Sequence, residues 1–132
     1  WQIDAFAAEA DFFSIGTNDL TQYILAMDRQ HPRLAKQADA RHPAVVRAIA
    51  AAVAGARRAK RWIGVCGNMA ADPVGAALLL GLGVDELSVG APAVAETKAL
   101  VRAADPARLK ELAQQAQQCA TTAEVLALYS GR

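Results

Sequence analysis

"DFFSIGTNDLTQ", residues Asp11 to Gln22, changes character in its middle. Phe12, Phe13 and Ile15 are aromatic or β-branched and predict a short buried strand closed by Gly16. The next three positions are a hydroxyl, an amide and a carboxylate: Thr17, Asn18 and Asp19. Leu20, Tyr23, Ile24 and Met27 then recur at helical spacing, so residues 18–28 are expected to be a helix. A strand that leaves the core at a glycine and turns directly into a helix is the opening of a βα unit. It places free backbone N–H groups where an anion can approach.

The same sentence is written twice more along the chain. "WIGVCG" (62–67) and "ELSVG" (86–90) are short apolar strands with glycine at their ends. Pro43 opens a long alanine-rich helix between the first two strands. A helix beginning near Pro73 and stopping at Gly81 and Gly83 separates the second from the third. Residues 29–43 are polar, hold two X-Pro pairs and predict a loop, and residues 3–10 predict the end of a helix. Three further helical stretches follow, 93–104, 106–118 and 123–129, with Asp105-Pro106 and Thr121-Thr122 as starts of the last two. Strand–helix order with both strand faces apolar predicts a parallel sheet. Three such strands make an incomplete sheet, so the expected fold is α/β, either part of a barrel or an open sheet, in one domain over residues 1–132.

Composition narrows the function classes. A chain of 132 residues with 54% hydrophobic content can bury a real core. Its net charge of +1 gives no global attraction to nucleic acid, and "RRAKR" (57–61) sits at a helix end, where cations suit the dipole. The apolar stretch Pro73 to Val84 is interrupted by glycines and too short to span a bilayer. No basic start with an apolar run follows Trp1, and Cys66 and Cys119 lack metal spacing, so a reduced, cytoplasmic setting is expected. The absent initial methionine points to a piece of something longer.

In parallel α/β folds function gathers at the C-terminal ends of strands. That rim collects Gly16, Thr17, Asn18 and Asp19 with Cys66, Gly67 and Asn68 and with Ser88 and Gly90. Two readings fit the first group. Gly16 and the free N–H groups of the turn can admit a phosphate, Asn18 can donate to it, and Asp19 can hold Mg²⁺, which takes few carboxylates plus phosphate and water. Alternatively Thr17 or Asn18 is a routine N-cap and Asp19 simply favours the helix dipole. Arg29 can clamp a phosphate bidentately, or be a solvated arginine beside Asp28. Cys66 is either a buried, inert thiol or, since a free thiol is mostly protonated at neutral pH, a general acid. His31 and His42, in the polar loop, are expected to have surface roles.

At these residues the sequence resembles a family. "DFFSIGTNDLTQYILAMDR" (11–29) and "GVCGNMAADP" (64–73) are similar to the two signature blocks of the phosphoenolpyruvate-utilising enzymes. Within that family "TQY…AMDR" resembles enzyme I, the phosphoenolpyruvate–protein phosphotransferase of bacterial sugar uptake, more than pyruvate phosphate dikinase or phosphoenolpyruvate synthase. "GLGVDELSV" (81–89) looks like the following barrel strand. The resemblance implies a (βα)₈ TIM barrel of which this chain supplies the last three βα units. It implies phosphoenolpyruvate bound by Gly16, Thr17, Asn18 and Arg29, Mg²⁺ on Asp19, and Cys66 as the acid that protonates the enolate carbon. It also implies a homodimer, and a histidine phosphocarrier protein as partner through a phosphohistidine domain elsewhere; by itself the piece is expected to be inactive. Asn68 stands where the family usually has glutamate, and Ala71 where it usually has glycine. A non-catalytic dimerisation module and a dikinase-like enzyme are the alternatives.

Overall fold

Proline and glycine divide the chain much as the sequence predicts. The computed structural model describes residues 1–131. Three strands, β1 (Phe12–Gly16), β2 (Trp62–Cys66) and β3 (Glu86–Ser88), form one parallel sheet in the order β1-β2-β3. Eight α-helices among the described residues accompany them: α1 (Ile3–Phe6), α2 (Thr17–Leu25), α3 (Pro43–Arg58), α4 (Asn68–Ala71), α5 (Pro73–Leu82), α6 (Val94–Ala103), α7 (Pro106–Ala116) and α8 (Thr122–Tyr129). The architecture is mixed α/β.

Local chemistry accounts for the boundaries. Pro43 and Pro73 occupy first turns, where their missing N–H costs nothing. His42 caps α3 by accepting from the Ala44 N–H, and Asp105 and Thr121 cap α7 and α8. Gly83, at φ 89°, ends α5 in the left-handed region that a Cβ disfavours, while Gly81 lies inside the helix and does not stop it. The helix predicted for 18–28 spans Thr17–Leu25 because Ala26 turns left-handed at φ 52°. Residues 3–10 hold only the short α1 followed by turns. The turn expected after Gly67 is helix α4, whose four residues are too few to leave a periodic signal.

The core lies between α3, β2, α5 and α7. Val45, Val46, Ile49, Ile63, Val65, Leu78, Leu79, Leu109 and Val125 are fully or almost fully buried there. Each such side chain contributes about 1.5–3 kcal/mol relative to exposure. The expectation that every strand is covered on both faces holds only for β2, whose Ile63, Gly64 and Val65 are all buried. In β1 only Phe13 and Ile15 turn toward the core, and Phe12 is 58% exposed. In β3 Glu86 and Ser88 are exposed. The difference goes with position: β2 has a strand on each side, whereas β1 and β3 are the edges of the sheet. No helix among the described residues is long and apolar enough to cross a membrane.

Candidate functional site

Parallel register places the three strand ends side by side. Gly16 pairs with Cys66, and Cys66 pairs with Ser88, so one transverse row carries all three. Two bonds then tie the turn after β1 to the turn after β2. Thr17 Oγ1 donates to the Cys66 carbonyl at 2.9 Å, and the Asn68 N–H donates to Asn18 Oδ1 at 3.1 Å. Between them Gly67 adopts φ 107° and ψ 179°, a backbone region open essentially to glycine alone.

These bonds overturn the capping reading of Thr17 and Asn18, while Asp19 does lie in the first turn of α2. The residue before α2 is Gly16, and no side chain caps the helix. The Thr17 hydroxyl and the Asn18 amide are drawn instead to acceptors and donors about fifty residues away. Thr17 is wholly buried, so its hydroxyl faces the protein interior and not the cleft. Asn18 is oriented: with Oδ1 taken by the Asn68 N–H, the remaining polar end of its side chain is an NH₂ donor.

A cleft of about 410 Å³ opens beside this turn, lined among others by Asn18, Arg29, Lys36, Arg41, Asn68 and Asp72. Arg29, Lys36 and the two amides suit an anion with several oxygens, while Arg41 is taken by the carboxylates of Asp39 and Asp72 in the same lining. Arg29 pairs with Asp19 at 3.1 Å, and not with Asp28, whose carboxylate accepts from the Gln30 N–H. The Asp19–Arg29 pair is well exposed, at 46% and 66% for the arginine and aspartate side chains. Exposed pairs contribute about 0–1 kcal/mol, so a phosphate and a cation can separate these partners at little cost. Asp19 and Cys66 do not line the cleft itself. No cluster of three metal-binding side chains exists among the described residues. One carboxylate nevertheless fits Mg²⁺, which keeps waters and substrate phosphate in its shell. His31 and His42, expected to have surface roles, are half-buried and use Nδ1 to accept backbone N–H groups.

The sequence reading missed Arg41. Its guanidinium holds Asp39 through two 2.9 Å bonds and reaches Asp72 at 3.3 Å, while Asp72 also caps α5 by accepting from the Gly75 N–H at 2.7 Å. This joins the 29–42 loop, which carries Arg29 and Lys36, to the start of α5. The only local signals are the Asp39–Arg41 spacing and an aspartate before Pro73. Burial pushes the Asp39 carboxyl up, but hydrogen bonds from the Arg41 side chain and backbone, with the guanidinium charge, outweigh it and hold the group below its ordinary value. A depressed carboxylate contributes stability that is present above the unfolded-state value, about 3.9, and is lost as pH falls through the folded-state value. Asp39→Asn is therefore expected to flatten the acid limb of the stability curve below about pH 4. Thermal midpoints of both proteins across that range check it; parallel acid limbs would rule out the linkage.

Comparison with known proteins agrees with this geometry. Residues 1–106 match the family model described as PEP-utilising enzyme, PEP-binding domain. A multiphosphoryl transfer protein of Xanthomonas campestris is 54% identical over 131 residues, which are 99% of this chain and 16% of that protein. One from Rhodobacter capsulatus is 60% identical over 122 residues, 92% of this chain and 15% of that protein. The phosphoenolpyruvate-protein phosphotransferase of Staphylococcus carnosus is 42% identical over 125 residues, 95% of this chain and 22% of that protein. The chain thus spans less than a quarter of the length of each of these relatives. On the match over residues 1–106, the chain belongs to the phosphoenolpyruvate-utilising enzymes and carries most of its length within their phosphoenolpyruvate-binding domain.

Proposed function

We propose that this chain is the C-terminal portion of the (βα)₈ barrel of a phosphoenolpyruvate–protein phosphotransferase of the bacterial sugar phosphotransferase system. The full-length enzyme is read as a cytoplasmic homodimer. It breaks the phosphorus–oxygen ester bond of phosphoenolpyruvate, forms a phosphorus–nitrogen bond on a protein histidine, and releases pyruvate. The phosphoryl group then passes to a histidine phosphocarrier protein. The observation that carries this reading is the convergence of Asn18 and Arg29 on one cleft, with Asp19 ion-paired to Arg29 and Cys66 paired with Gly16 at the neighbouring strand end.

In this reading the Asn18 NH₂ and the Arg29 guanidinium bind phosphoryl oxygens, with the Gly16–Thr17 backbone bordering them. Asp19 is the residue of this chain that would hold Mg²⁺, which when bound supplies positive charge to the phosphoryl oxygens. Cys66 gives its thiol proton to the carbon of the departing enolate, and the thiolate regains a proton from water. The exposed second faces of β1 and β3 are what a closed barrel would cover. The piece alone lacks those neighbours and is expected to give no turnover.

The test uses the full-length polypeptide. Asn18→Ala is expected to raise the KM for phosphoenolpyruvate roughly ten- to a hundredfold, the scale of about 1.5–3 kcal/mol for a hydrogen bond to a charged group. Asp19→Ala should shift the Mg²⁺ activation curve to much higher concentration. Steady-state assays with varied substrate and Mg²⁺ measure both. Unchanged KM and unchanged Mg²⁺ dependence would show that these side chains serve structure alone.

A further inference from the structure

Thr17 is an unusual place to spend a hydroxyl. It is wholly buried in the first turn of α2, where a hydrophobe would pack as well, and its side chain makes no cap. Its Oγ1 donates instead to the carbonyl of Cys66, the last residue of β2, at 2.9 Å across 49 residues of chain. The Thr17 carbonyl in turn accepts from buried Thr21 Oγ1 at 2.7 Å, which fixes the turn that presents the hydroxyl. Oγ1 also packs so closely on the next residue, Gly67, that a Cβ there would strike it. The Cys66 backbone is therefore held by its pairing with β1 and β3, and its carbonyl by this one hydroxyl.

We propose that Thr17 is a positioning residue for the Cys66 thiol: by fixing the Cys66 carbonyl it sets the direction in which that residue's side chain leaves the strand end. The inference rests on the reading of Cys66 as proton donor. It separates the two neighbours at the start of α2. Asn18 faces the cleft and bears on substrate affinity, whereas Thr17 faces inward and bears on the protonation step. An acid delivers its proton only within hydrogen-bond reach of the reacting carbon, and an offset of about 1 Å can cost about a hundredfold.

Thr17→Val in the full-length enzyme keeps the shape and removes the donor. The expected result is a kcat lowered roughly ten- to a hundredfold, with KM for phosphoenolpyruvate within about twofold of the original. Thr17→Ser, which keeps the donor, should restore most of the rate. In a Cys66→Ser background, Thr17→Val should lower kcat no further, because the group it positions is already gone. Equal losses in both backgrounds would overturn the inference, as would a Thr17→Val enzyme with unchanged kcat beside a slow Cys66→Ser enzyme. If Cys66→Ser itself retained full turnover, the proton-donor reading would fall and this inference with it. Thr17→Ala, which leaves room for a water to satisfy the carbonyl, gives the same comparisons where the valine variant does not fold. A direct reading of thiol placement comes from the iodoacetamide alkylation rate of Cys66 in the full-length enzyme, followed on the Cys66 peptide by mass spectrometry. Thr17→Val should change that rate and Thr17→Ser should not; equal rates in all three would also overturn the inference.

Discussion

Cys66→Ser in the full-length enzyme is expected to slow pyruvate formation by roughly two orders of magnitude or more, the scale of a lost general acid. Phosphoenolpyruvate affinity should stay near its original value, because Cys66 is not among the residues that line the cleft. Serine has nearly the shape of cysteine, and Cys66 is only half-buried, so the fold should survive. What changes is acidity: an alkoxide is far less accessible than a thiolate at neutral pH. The measurement is steady-state pyruvate release with a parallel binding titration of phosphoenolpyruvate. Unaltered turnover would assign Cys66 to packing at the strand end.

Gly67→Ala should be the most damaging substitution for stability in the site, though it removes no functional group. Two faults add. At φ 107° and ψ 179° an alanine carries about 1–3 kcal/mol of backbone strain. Its Cβ would also collide with Thr17 Oγ1 and press on Asn18 Oδ1 at 3.1 Å. The thermal midpoint is expected to fall by roughly 3–5 °C for each kcal/mol lost, and substrate affinity should fall with it because Asn18 is displaced. Gly90→Ala is the control. That glycine has φ −61° and nothing nearer than Pro92 Cδ at 3.8 Å, so its replacement should be close to neutral. Similar midpoints for the two variants would show that the Gly67 turn relaxes without cost.

The contrast between these glycines shows where sequence reading succeeds. Elements fixed by short-range chemistry were legible: Pro43 and Pro73 at helix starts, Asp105 and Thr121 as caps, and the apolar run of β2. Asn18 and Arg29 were legible as site candidates because a glycine-ended strand followed by polar residues is itself a signal, and the cleft brings both together. Thr17 was not. A threonine at a helix start looks locally like a cap, and only the parallel register of β1 and β2 offers it a better acceptor in Cys66. Arg41 was hidden for the same reason. Its bond to Asp72 joins residues 31 apart through packing that no local spacing records. That three strands leave an open sheet was legible, but which of them lies inside was not, since strand composition does not say which strand is an edge.

The unequal burial of the two halves has a bearing on how the molecule opens. β2 buries Ile63, Gly64 and Val65 and α5 buries half of its residues, whereas β1 has no buried residue and α2 only Thr17 and Thr21. The bonds joining α2 to the β2 turn close segments of 49 and 50 residues, against 22 for the Ile63–Asp85 bond beside β3. The longer closure adds only about 0.7 kcal/mol of chain entropy, so the difference in buried apolar surface decides the order of release. On this measure local unfolding is expected to release β1 and α2 before β2 and α5. Such an excursion separates Asn18 and Asp19 from Cys66 while the rest of the chain stays folded, which makes the two ends of the site the halves of a single cooperative seam.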